Sequence, residues 1–445
     1  MARPRYPPAS MRRLLWTFAA AVALCAAPSA LAGTTFVVDG HGWGHGVGMS
    51  QYGAYGYALH GWRYDRIVAH FYRGTTLATQ PNRTVRVLVA EGRHRIEIAS
   101  SKPFRRLAKR RPLTLKRGAR GLTVAGIRKL GGTVLYQPGA APLRVDGKAY
   151  RGTVTVYVEN GRLHAVDELS LDHYLRGVVP REMPHDWPLE ALKAQAVVAR
   201  SYTLATLHPQ QRFDLYADTR DQVFDGIQGE RPETNRAVAQ TAGKIVTWRG
   251  HVATTYYHST SGGRTANIED VWPKASACPY LVSVADPYDY LSKHHTWPAL
   301  VFSRSELAAR LHAPGLRDVV VERNSSGRAG ALEVKLASGA RRVTGEDARD
   351  LLGVRSTFFD VRVLSLDPLP PTVKRGRELK LTGFVRGLGR IRLERAIGPG
   401  PWQKVRALRL AQDGRFTTTV RVDGPTRYRI ANHIAVGGAV PVLVR

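Results

Sequence analysis

A run of evenly spaced glycines constrains this chain more than any other local feature. It follows Thr34 to Val38, whose side chains alternate in the manner of a short strand. The glycines occupy every second position, at Gly40, Gly42, Gly44, Gly46 and Gly48. On an extended segment this spacing puts every glycine on one face, so another backbone or a ligand can approach that face closely. The opposite face would carry His41, Trp43, His45 and Val47.

The glycine run does not have the pattern of a nucleotide or metal site. The chain contains no G-x-x-x-x-G-K-[ST], and the run never completes G-x-G-x-x-G because Val47 or Met49 stands where the last glycine belongs. On an extended segment His41 and His45 would lie about 13 Å apart, too far to share one metal ion unless the segment curls. We therefore expect a packed or hydrogen-bonding role for these histidines.

The first 32 residues have the pattern of a secretory signal peptide. Four arginines precede an apolar run from Leu14 to Ala27, and the segment closes with Ala30-Leu31-Ala32. We expect cleavage after Ala32. The run is too short and too rich in alanine for a stable membrane span, and no later segment approaches the roughly 20 apolar residues that a spanning helix requires. The protein is therefore expected to be secreted, to the cell wall or extracytoplasmic space, without a transmembrane segment.

The cysteine content limits the covalent chemistry of the mature chain. Cys25 and Cys278 are the two cysteines of the sequence, and Cys25 leaves with the predicted signal peptide. An intramolecular disulfide is thus excluded for the mature chain. A zinc site with two or more cysteine ligands from one chain is excluded for the same reason.

The chain is strongly basic, with 66 Lys and Arg against 35 Asp and Glu and a formal net charge of +31. Such a surface attracts nucleic acids, acidic wall polymers or anionic lipids. Because an exported protein seldom meets chromosomal DNA, we expect no nucleic-acid partner and favour an anionic wall polymer. The densest basic cluster comprises Arg105, Arg106, Lys109, Arg110, Arg111, Lys116, Arg117 and Arg120. Either a solvated loop face or direct contact with an acidic wall polymer would account for this cluster.

Hydrophobic periodicity predicts an α+β chain. Short alternating runs between about residues 84 and 160 indicate a β-rich region. Helices are predicted within 54–72, at 170–179, from near 186 to 202, at 237–244 and at 345–352, and a strand at 358–364. A stiff linker, Pro368-Leu369-Pro370-Pro371, then precedes alternating runs without helical periodicity. These runs predict a small all-β, immunoglobulin-like sandwich over residues 366–445.

One carboxylate lies in an unusually restrained setting, the segment Pro180-Arg181-Glu182-Met183-Pro184. The preceding helix is expected to end before Pro180, and the two prolines restrict the backbone on both sides of Glu182. Its carboxylate should therefore be held on a stiff turn, with Met183 and Trp187 apolar enough to raise its pKa. These properties suit a general acid, although a solvated loop carboxylate fits the same residues.

A serine hydrolase would have to use Ser259 or Ser261 with His258. The chain has no G-x-S-x-G elbow, and adjacency in sequence does not align a serine with its base. Small polar residues after a strand more often form a turn, which is the favoured interpretation.

Several long segments resemble the SpoIID/LytB family, whose members include the sporulation stage II protein D lytic transglycosylases and proteins described as amidase enhancers. The strongest similarity is LSLDHYLRGVVPREMP at 169–184, followed by WPLEALKAQAVVARSY at 187–202. Shorter similarities are QVF at 222–224, YHSTSGGRT at 257–265, VW at 271–272, PYL at 279–281, LLGVRST at 351–357 and GHGVGMSQYGA at 44–54. The resemblance implies a SpoIID-like core domain over residues 33–365, with a β-rich insertion at about 84–160. The C-terminal sandwich would then bind the wall or act as a spacer.

The resemblance also implies a chemistry. In that family the glutamate of the V-P-x-E-M turn is the catalytic acid, and it corresponds to Glu182. The substrate would be the glycan strand of peptidoglycan, cleaved without water at the β-1,4 bond between N-acetylmuramic acid and N-acetylglucosamine. One carboxyl group would protonate the glycosidic oxygen and then deprotonate the C6 hydroxyl that closes a 1,6-anhydro ring, so no second carboxylate is required.

Nine other positions are implied to line the glycan cleft: His45, Gln51, Tyr52, Gln195, Arg200, Tyr202, His258, Ser259 and Ser261. Gln195 and Arg200 fit equally well as braces of buried backbone groups. Some relatives carry a Cys and His zinc cluster before their Q-V-Y motif. The corresponding stretch here, Leu215 to Gln222, has Arg220 and Asp221 instead. Neither a metal nor another cofactor is therefore expected.

The order of the motifs differs from that of the relatives. Their glycine-rich motif follows the R-S-T segment, whereas here it opens the mature chain. The order looks circularly permuted, which a fold tolerates when its ends lie close together. We therefore expect Phe36 to Gly40 beside Phe358 to Leu364, with His45 brought near Glu182.

Two functional hypotheses follow from the sequence. The first is a secreted, metal-independent peptidoglycan lytic transglycosylase with Glu182 as general acid and base. The second is a non-catalytic peptidoglycan-binding protein that stimulates a separate cell-wall amidase.

Overall fold

The computed structural model describes residues 33–108, 111–115, 122–124, 133–209 and 211–445. The predicted signal peptide, residues 1–32, lies outside the described residues, as do Lys109, Arg110, Lys116, Arg117 and Arg120 of the basic cluster. Across the described ranges, no helix combines the length and apolar character needed to cross a membrane.

Eight α-helices form within the described residues. They are α1 (Gln51–Leu59), α2 (Tyr64–Phe71), α3 (Leu171–Glu182), α4 (Leu189–Ala205), α5 (Pro232–Gln240), α6 (Ile268–Val271), α7 (Arg304–Arg310) and α8 (Gly345–Leu352). Short 3₁₀ turns occur at Gly226–Gly229 and Asp289–Leu291.

The strands of the N-terminal half are β1 (Thr34–His41), β2 (Met49–Ser50), β3 (Thr76–Thr79), β4 (Thr84–Arg93), β5 (Ile96–Ala99), β6 (Phe104–Ala108), β7 (Arg111–Leu115), β8 (Leu122–Val124), β9 (Val134–Gln137), β10 (Leu143–Val145), β11 (Lys148–Tyr150), β12 (Thr153–Glu159), β13 (Arg162–Ser170) and β14 (Leu215–Tyr216). Those of the C-terminal half are β15 (Lys244–Trp248), β16 (His251–Val252), β17 (Tyr257–His258), β18 (Thr296–Ser303), β19 (Leu316–Arg323), β20 (Ala329–Leu336), β21 (Gly339–Thr344), β22 (Phe359–Leu366), β23 (Thr372–Val373), β24 (Arg377–Arg386), β25 (Arg392–Ile397), β26 (Gln403–Ala407), β27 (Arg415–Val422), β28 (Thr426–Ala431) and β29 (Val440–Val444). The α+β class predicted from the sequence is confirmed.

Two hydrophobic cores meet around α3 and α4. The predicted β-rich region forms a seven-stranded sheet, β14-β4-β13-β12-β9-β6-β7, and a four-stranded sheet, β11-β10-β5-β8. Their apolar side chains share one core with α3, for example Val156, Leu175 and Phe224. The second core contains Met49 of β2 and Leu192 of α4, together with residues of α1 and α2. Helices α3 and α4 therefore join the β-rich region to the glycine-rich segment.

Strand β1 lies in the middle of an antiparallel sheet, between β18 and β22. Its pairing with β22 sets Phe36 opposite Val363 and Gly40 opposite Phe359. The predicted proximity of residues 36–40 to residues 358–364 is confirmed. The two ends of the core are thus hydrogen-bonded neighbours, which is the condition that a permuted motif order requires.

The glycine-rich segment beyond β1 is not extended, contrary to the prediction from its spacing. Gly42, Gly44, Gly46 and Gly48 all have positive φ, from +71° to +107°. The prediction of close backbone approach is nevertheless correct, because a Cβ at Gly42 would lie 2.7 Å from the carbonyl oxygen of Thr260. A strand periodicity fits both conformations, so the spacing alone does not distinguish them.

Helix α3 extends through Pro180 to Glu182, so the predicted end before the proline is wrong. Proline lacks an N–H, so Pro180 removes the hydrogen bond that residue 180 would donate to the carbonyl of Arg176, and the proline ring crowds that carbonyl. Val178 and Val179 are buried in the core, and the N–H of Met183 still donates to the carbonyl of Val179 at 3.0 Å. Tertiary packing therefore carries the helix past the proline and places Glu182 on its final turn rather than on a separate loop.

Strand β22 crosses the predicted domain boundary at residues 365–366. It pairs with β1 on one side and β24 on the other, which extends the sheet to β18-β1-β22-β24-β27. Val37 and Leu364 accordingly pack in one core with Leu381 and Phe416. A second five-stranded sheet, β23-β29-β28-β25-β26, contributes Tyr428 to the same core. An immunoglobulin-like classification of residues 366–445 stays a prediction.

Candidate functional site

A cleft of about 380 Å³ opens at the C-terminal end of α3. Its lining residues are His45, Arg181, Glu182, Tyr202, Thr219, Asp221, Val223, Tyr256, Tyr257 and Trp272. They come from six separate stretches of the chain, so the cleft depends on tertiary structure. His45 and Glu182 meet here, as the sequence predicted.

Local packing places the C-terminal end of α3 at this cleft. Ser170 caps the helix, because its Oγ accepts the N–H of His173 at 3.3 Å. Gly177 lets the helix lie directly on Phe224, since a Cβ at this position would be 2.6 Å from the Phe224 ring. This close contact brings the last turn of α3 alongside Val223, whose backbone N–H donates to Glu182.

Three hydrogen-bond donors surround the Glu182 carboxylate. They are the Tyr257 hydroxyl, the Gln51 side-chain amide and the Val223 N–H. Burial raises the pKa of Glu182 above its usual value, and the three hydrogen bonds together with Arg181 offset only part of that rise. Arg181 also forms an ion pair with Asp225 at 3.0 Å, so its positive charge is shared with a second carboxylate. Glu182 is therefore held in position, and its raised pKa favours the protonated form.

A chain of hydrogen bonds behind Glu182 fixes the orientation of Tyr257. Thr203 Oγ1 donates to the carbonyl of Ala199 at 2.8 Å and accepts from Gln222 Nε2 at 2.7 Å. The Gln222 amide must therefore turn its Oε1 toward Tyr257, whose hydroxyl donates to it at 2.9 Å. The single Tyr257 proton thus has two acceptors, Gln222 Oε1 and the Glu182 carboxylate.

The two histidines of the cleft region are neutral and serve as structural donors and acceptors. His45 Nδ1 accepts the N–H of Val47 at 3.0 Å, so its Nε2 carries the proton that is donated to the carbonyl of Tyr257 at 3.0 Å. Burial lowers the pKa of His45 to about 4. Burial likewise lowers the pKa of His258, which bonds the carbonyl of Val47 at 3.2 Å. Both side chains hold the glycine-rich segment against β17.

Gln51, Gln195 and Tyr202 also lie at the site. Gln51 is the first residue of α1 and reaches both Glu182 and the Oε1 of buried Gln195, 3.5 Å away. Gln195 thus supports Gln51 from behind, while Tyr202 faces the cleft itself. Tyr52 is not among the lining residues; its ring packs on Trp187 at 4.9 Å, beside the site.

Three other candidates from the sequence do not line the cleft: Arg200 and Ser261 are buried, and Ser259 is half-buried. Arg200 is buried, pairs with Asp172 at 3.0 Å and donates to the carbonyl of Lys244 at 3.1 Å, so it ties α3 to α4 and β15 rather than contacting the cleft. Ser261 donates to Asp286 at 2.8 Å, and the Oγ of Ser259 bonds Thr260. Neither serine is hydrogen-bonded to His258, which gives a serine nucleophile no support.

The comparison with known proteins fits this geometry. A family model described as Stage II sporulation protein matches residues 159–248, the stretch that contains α3, α4 and α5. The Stage II sporulation protein D of Bacillus amyloliquefaciens is 31% identical over 225 residues, which cover 46% of this chain and 64% of that protein. The Amidase enhancer of Bacillus subtilis is 36% identical over 149 residues, covering 33% of this chain and 20% of that protein.

The family-model match and the relatives named Stage II sporulation protein D and Amidase enhancer support the SpoIID/LytB family for this chain. A third relative, an uncharacterized protein of Brachyspira hyodysenteriae, is 37% identical over 143 residues, or 32% of this chain and 38% of that protein. The matches span less than two thirds of the length of each of these relatives. The SpoIID match includes Glu182 but not the glycine-rich segment, so His45 and Gln51 reach the cleft from outside the matched residues.

Several residues that line the cleft were not among the candidates from the sequence. Trp272, Val223 and Tyr256 occur in or beside the short motifs at 222–224, 257–265 and 271–272, which was the available signal. The Trp272 ring lies 5.2 Å from the His45 ring and 4.8 Å from the Tyr256 ring, so these residues form one aromatic wall. Asp221 directly precedes the motif at 222–224, so the same signal was available for it. Among the described residues, no group of three or more metal-ligating side chains is placed to hold a metal ion.

Proposed function

We propose that this protein is a peptidoglycan lytic transglycosylase that cleaves the β-1,4 bond between N-acetylmuramic acid and N-acetylglucosamine. The observation that carries the proposal is the environment of Glu182, whose carboxyl group lies in the cleft. Burial of this group favours its protonated form, and three hydrogen-bond donors hold it in position. Aromatic and polar lining, as in the wall formed by His45, Tyr256 and Trp272, suits a sugar chain.

The reaction needs one carboxyl group in two roles. Glu182 gives its proton to the glycosidic oxygen as the bond from C1 of the muramic residue breaks, and the leaving N-acetylglucosamine takes that proton as its 4-hydroxyl. The Glu182 carboxylate then removes the proton of the C6 hydroxyl of the muramic residue. The C6 oxygen bonds to C1 and closes the 1,6-anhydro ring. The proton returns to Glu182, and no water is consumed.

Tyr257 suits both states of this carboxyl group. When Glu182 is protonated, Tyr257 donates to Gln222 and its oxygen is free to accept the Glu182 proton. When Glu182 is ionised, the Tyr257 proton can turn to the carboxylate. Burial and the Glu182 charge raise the pKa of Tyr257 well above its usual value, so the phenol keeps its proton in both states.

Tyr257→Phe is expected to reduce the rate about ten- to hundredfold, the typical contribution of a hydrogen bond to a charged group. Because that bond lowers the pKa of Glu182, its loss raises the pKa, and the fall of activity with rising pH moves to higher pH. The measurement is the pH dependence of kcat/KM on soluble glycan fragments. Tyr202→Phe, in the same cleft, should leave the position of that fall unchanged. An unshifted profile for Tyr257→Phe would contradict the role of this hydroxyl.

A second candidate function is supported by one relative. The Bacillus subtilis protein that is 36% identical over 149 residues is called Amidase enhancer. The cleft could accordingly bind peptidoglycan without cleaving it and present the wall to a separate amidase. In that case Glu182 would act in binding alone.

Product analysis distinguishes the two functions. Purified peptidoglycan, both intact and stripped of stem peptides, is incubated with the mature protein, and the soluble products are identified by mass spectrometry. We expect 1,6-anhydro-muramic ends. Reducing muramic ends would indicate hydrolysis by water and contradict the transglycosylase. Binding without any cleavage would favour the amidase-enhancing function.

We further propose an extracytoplasmic location with retention on anionic wall polymers. The relatives named for sporulation and amidase enhancement fit such a location. Residues 366–445 contain 16 Lys and Arg against 5 Asp and Glu, so the C-terminal part alone carries a strong positive charge.

A further inference from the structure

Three aromatic side chains pack together outside the cleft, near Glu182. This aromatic cluster consists of Tyr52 and Tyr55 of α1 and of Trp187, which lies in the turn before α4. The centroid of the Trp187 ring system is 4.9 Å from that of Tyr52 and 4.6 Å from that of Tyr55, and the two tyrosine rings are 6.3 Å apart. None of the three lines the cleft, and the proposed mechanism uses none of them.

The aromatic cluster belongs to the surface more than to the interior. All three side chains are half-buried, and neither Tyr52 nor Tyr55 is part of a hydrophobic core among the described residues. Within the described part of the chain, the two hydroxyls and the indole N–H of Trp187 make no hydrogen bond, and these atoms are not buried. The hydroxyl of Tyr57, on the same helix, is instead bonded to His70 at 3.0 Å. The aromatic cluster therefore presents apolar ring surface and unused polar atoms to solvent.

Local structure holds the aromatic cluster in place before any ligand binds. Tyr52 and Tyr55 are three positions apart, which places their side chains on one face of α1. Trp187 lies between Pro184 and Pro188, and its N–H donates to the carbonyl of Pro184 at 3.2 Å. Tyrosine and tryptophan have few rotatable bonds, so rings that already pack on one another lose little conformational entropy when a ligand binds.

The aromatic cluster is joined to the cleft by two short stretches of chain. Tyr52 directly follows Gln51, so their Cα atoms are about 3.8 Å apart, and the side-chain amide of Gln51 donates to Glu182. Trp187 lies in the turn that follows Glu182 at the end of α3. A polymer bound at Glu182 that continues past Gln51 therefore reaches the aromatic cluster.

The chemistry of the aromatic cluster fits a sugar ring. A pyranose has a face of C–H groups, which packs on an aromatic ring. It also has hydroxyls around its edge, which form hydrogen bonds with a phenol or an indole N–H. The three side chains are uncharged, so an anionic polymer would find no cation among them.

We propose that Tyr52, Tyr55 and Trp187 form a further sugar-binding subsite, which binds the glycan strand beyond the sugars held in the cleft. Long strands then bind more tightly than short fragments, because only a long strand occupies the cleft and the aromatic cluster together. The protein accordingly selects positions in a strand that leave enough sugars on the side of the aromatic cluster. This inference rests on the proposed substrate class and adds to it a dependence on strand length.

The test measures the binding of soluble glycan fragments stripped of stem peptides, from a disaccharide to an octasaccharide, in a Glu182→Gln background that prevents cleavage. Tyr55→Ala is the decisive variant, because Tyr55 lies outside the hydrophobic cores of the described residues and alanine favours the helix. It is expected to weaken binding of the octasaccharide about tenfold and of the disaccharide by less than about twofold. Tyr55→Phe keeps the ring and should lose less.

Trp402→Ala is the matched control, because it removes a half-buried aromatic side chain, stacked on Arg429, elsewhere in the chain. It should bind every fragment as the Glu182→Gln parent does. Melting temperatures confirm that each variant is folded.

Each contrary outcome has a distinct meaning. If Tyr55→Ala binds the octasaccharide as tightly as Trp402→Ala does, the subsite is wrong, and a wild-type dimer that Tyr55→Ala dissociates would then assign the rings to a second copy of the chain. If Tyr55→Ala weakens the disaccharide and the octasaccharide equally, the dependence on strand length is wrong. If the Glu182→Gln parent binds no fragment, the substrate class and the subsite fail together. Selective loss of the octasaccharide, with no anhydro product from the wild-type protein, would uphold the subsite and overturn only the transglycosylase.

Discussion

Glu182→Gln is expected to abolish anhydro-muramic products, with a rate loss of at least about a thousandfold. The amide has nearly the shape of the carboxyl group and can still bond Tyr257 and Gln51, so the cleft should stay folded and bind glycan. It can neither donate an acidic proton to the glycosidic oxygen nor remove one from the C6 hydroxyl. Both steps therefore lose their catalyst, and the measurement is the rate of product release by mass spectrometry, with glycan binding measured in parallel.

Asp221→Asn is the matched control, because Asp221 is the other carboxylate that lines the cleft. Its Oδ2 accepts the N–H of Tyr216 at 2.7 Å, and its Oδ1 lies 3.7 Å from His208, so the fold already uses this side chain. A one-carboxyl mechanism predicts activity within about tenfold of wild type. A loss as large as that of Glu182→Gln would instead indicate the paired acids of an ordinary glycosidase, and the products would then have reducing ends.

Glu182 could be chosen as the candidate acid from the sequence, but the local structure around it could not be predicted. Two flanking prolines and apolar neighbours identified a restrained carboxylate, and the long similarity around residues 169–202 gave it a role. The prediction that α3 ends before Pro180 was wrong because local propensity competes with burial of Val178 and Val179, and burial prevailed. The stiffness expected from a turn comes instead from the helix and from three hydrogen-bond donors.

The rest of the cleft could not be predicted from local pattern. The parallel pairing of β2 with β17 sets Met49 beside Tyr257, two segments that are 208 positions apart in the chain. That pairing brings Gln51 and Tyr257 to the same carboxylate. For Arg200 the sequence left two roles open, a contact with sugar and a buried structural role. Its burial and its ion pair with Asp172 support the structural role.

The glycine spacing predicted close approach without predicting conformation. A period of two fits an extended strand, and it fits equally a segment in which every second residue is left-handed, because glycine adopts both at little cost. The structure has the second form from Gly42 to Gly48. This form brings His45 to the cleft while the same segment packs closely against Thr260.

Gly48→Ala is expected to lower the free energy of unfolding by about 2–5 kcal/mol. Gly48 has a φ of +71°, and a Cβ there would lie 2.0 Å from the carbonyl oxygen of Tyr256. That oxygen accepts hydrogen bonds from the Met49 N–H at 3.1 Å and from the Tyr72 hydroxyl at 2.7 Å. The added methyl group must therefore displace a carbonyl that joins the glycine-rich segment to β17.

Gly61→Ala separates this clash from the cost of the backbone conformation. Gly61 has a φ of +78°, nearly that of Gly48, but a Cβ there would have nothing within 4 Å. It should lose only about 1–2 kcal/mol, the cost of a left-handed conformation for an alanine. Chemical denaturation of both variants measures the difference, and equal losses would contradict the steric argument. Because Tyr256 is followed by Tyr257, displacement of its carbonyl also shifts the donor to Glu182. Gly48→Ala should therefore lose activity at temperatures where it is still folded, and Gly61→Ala should not.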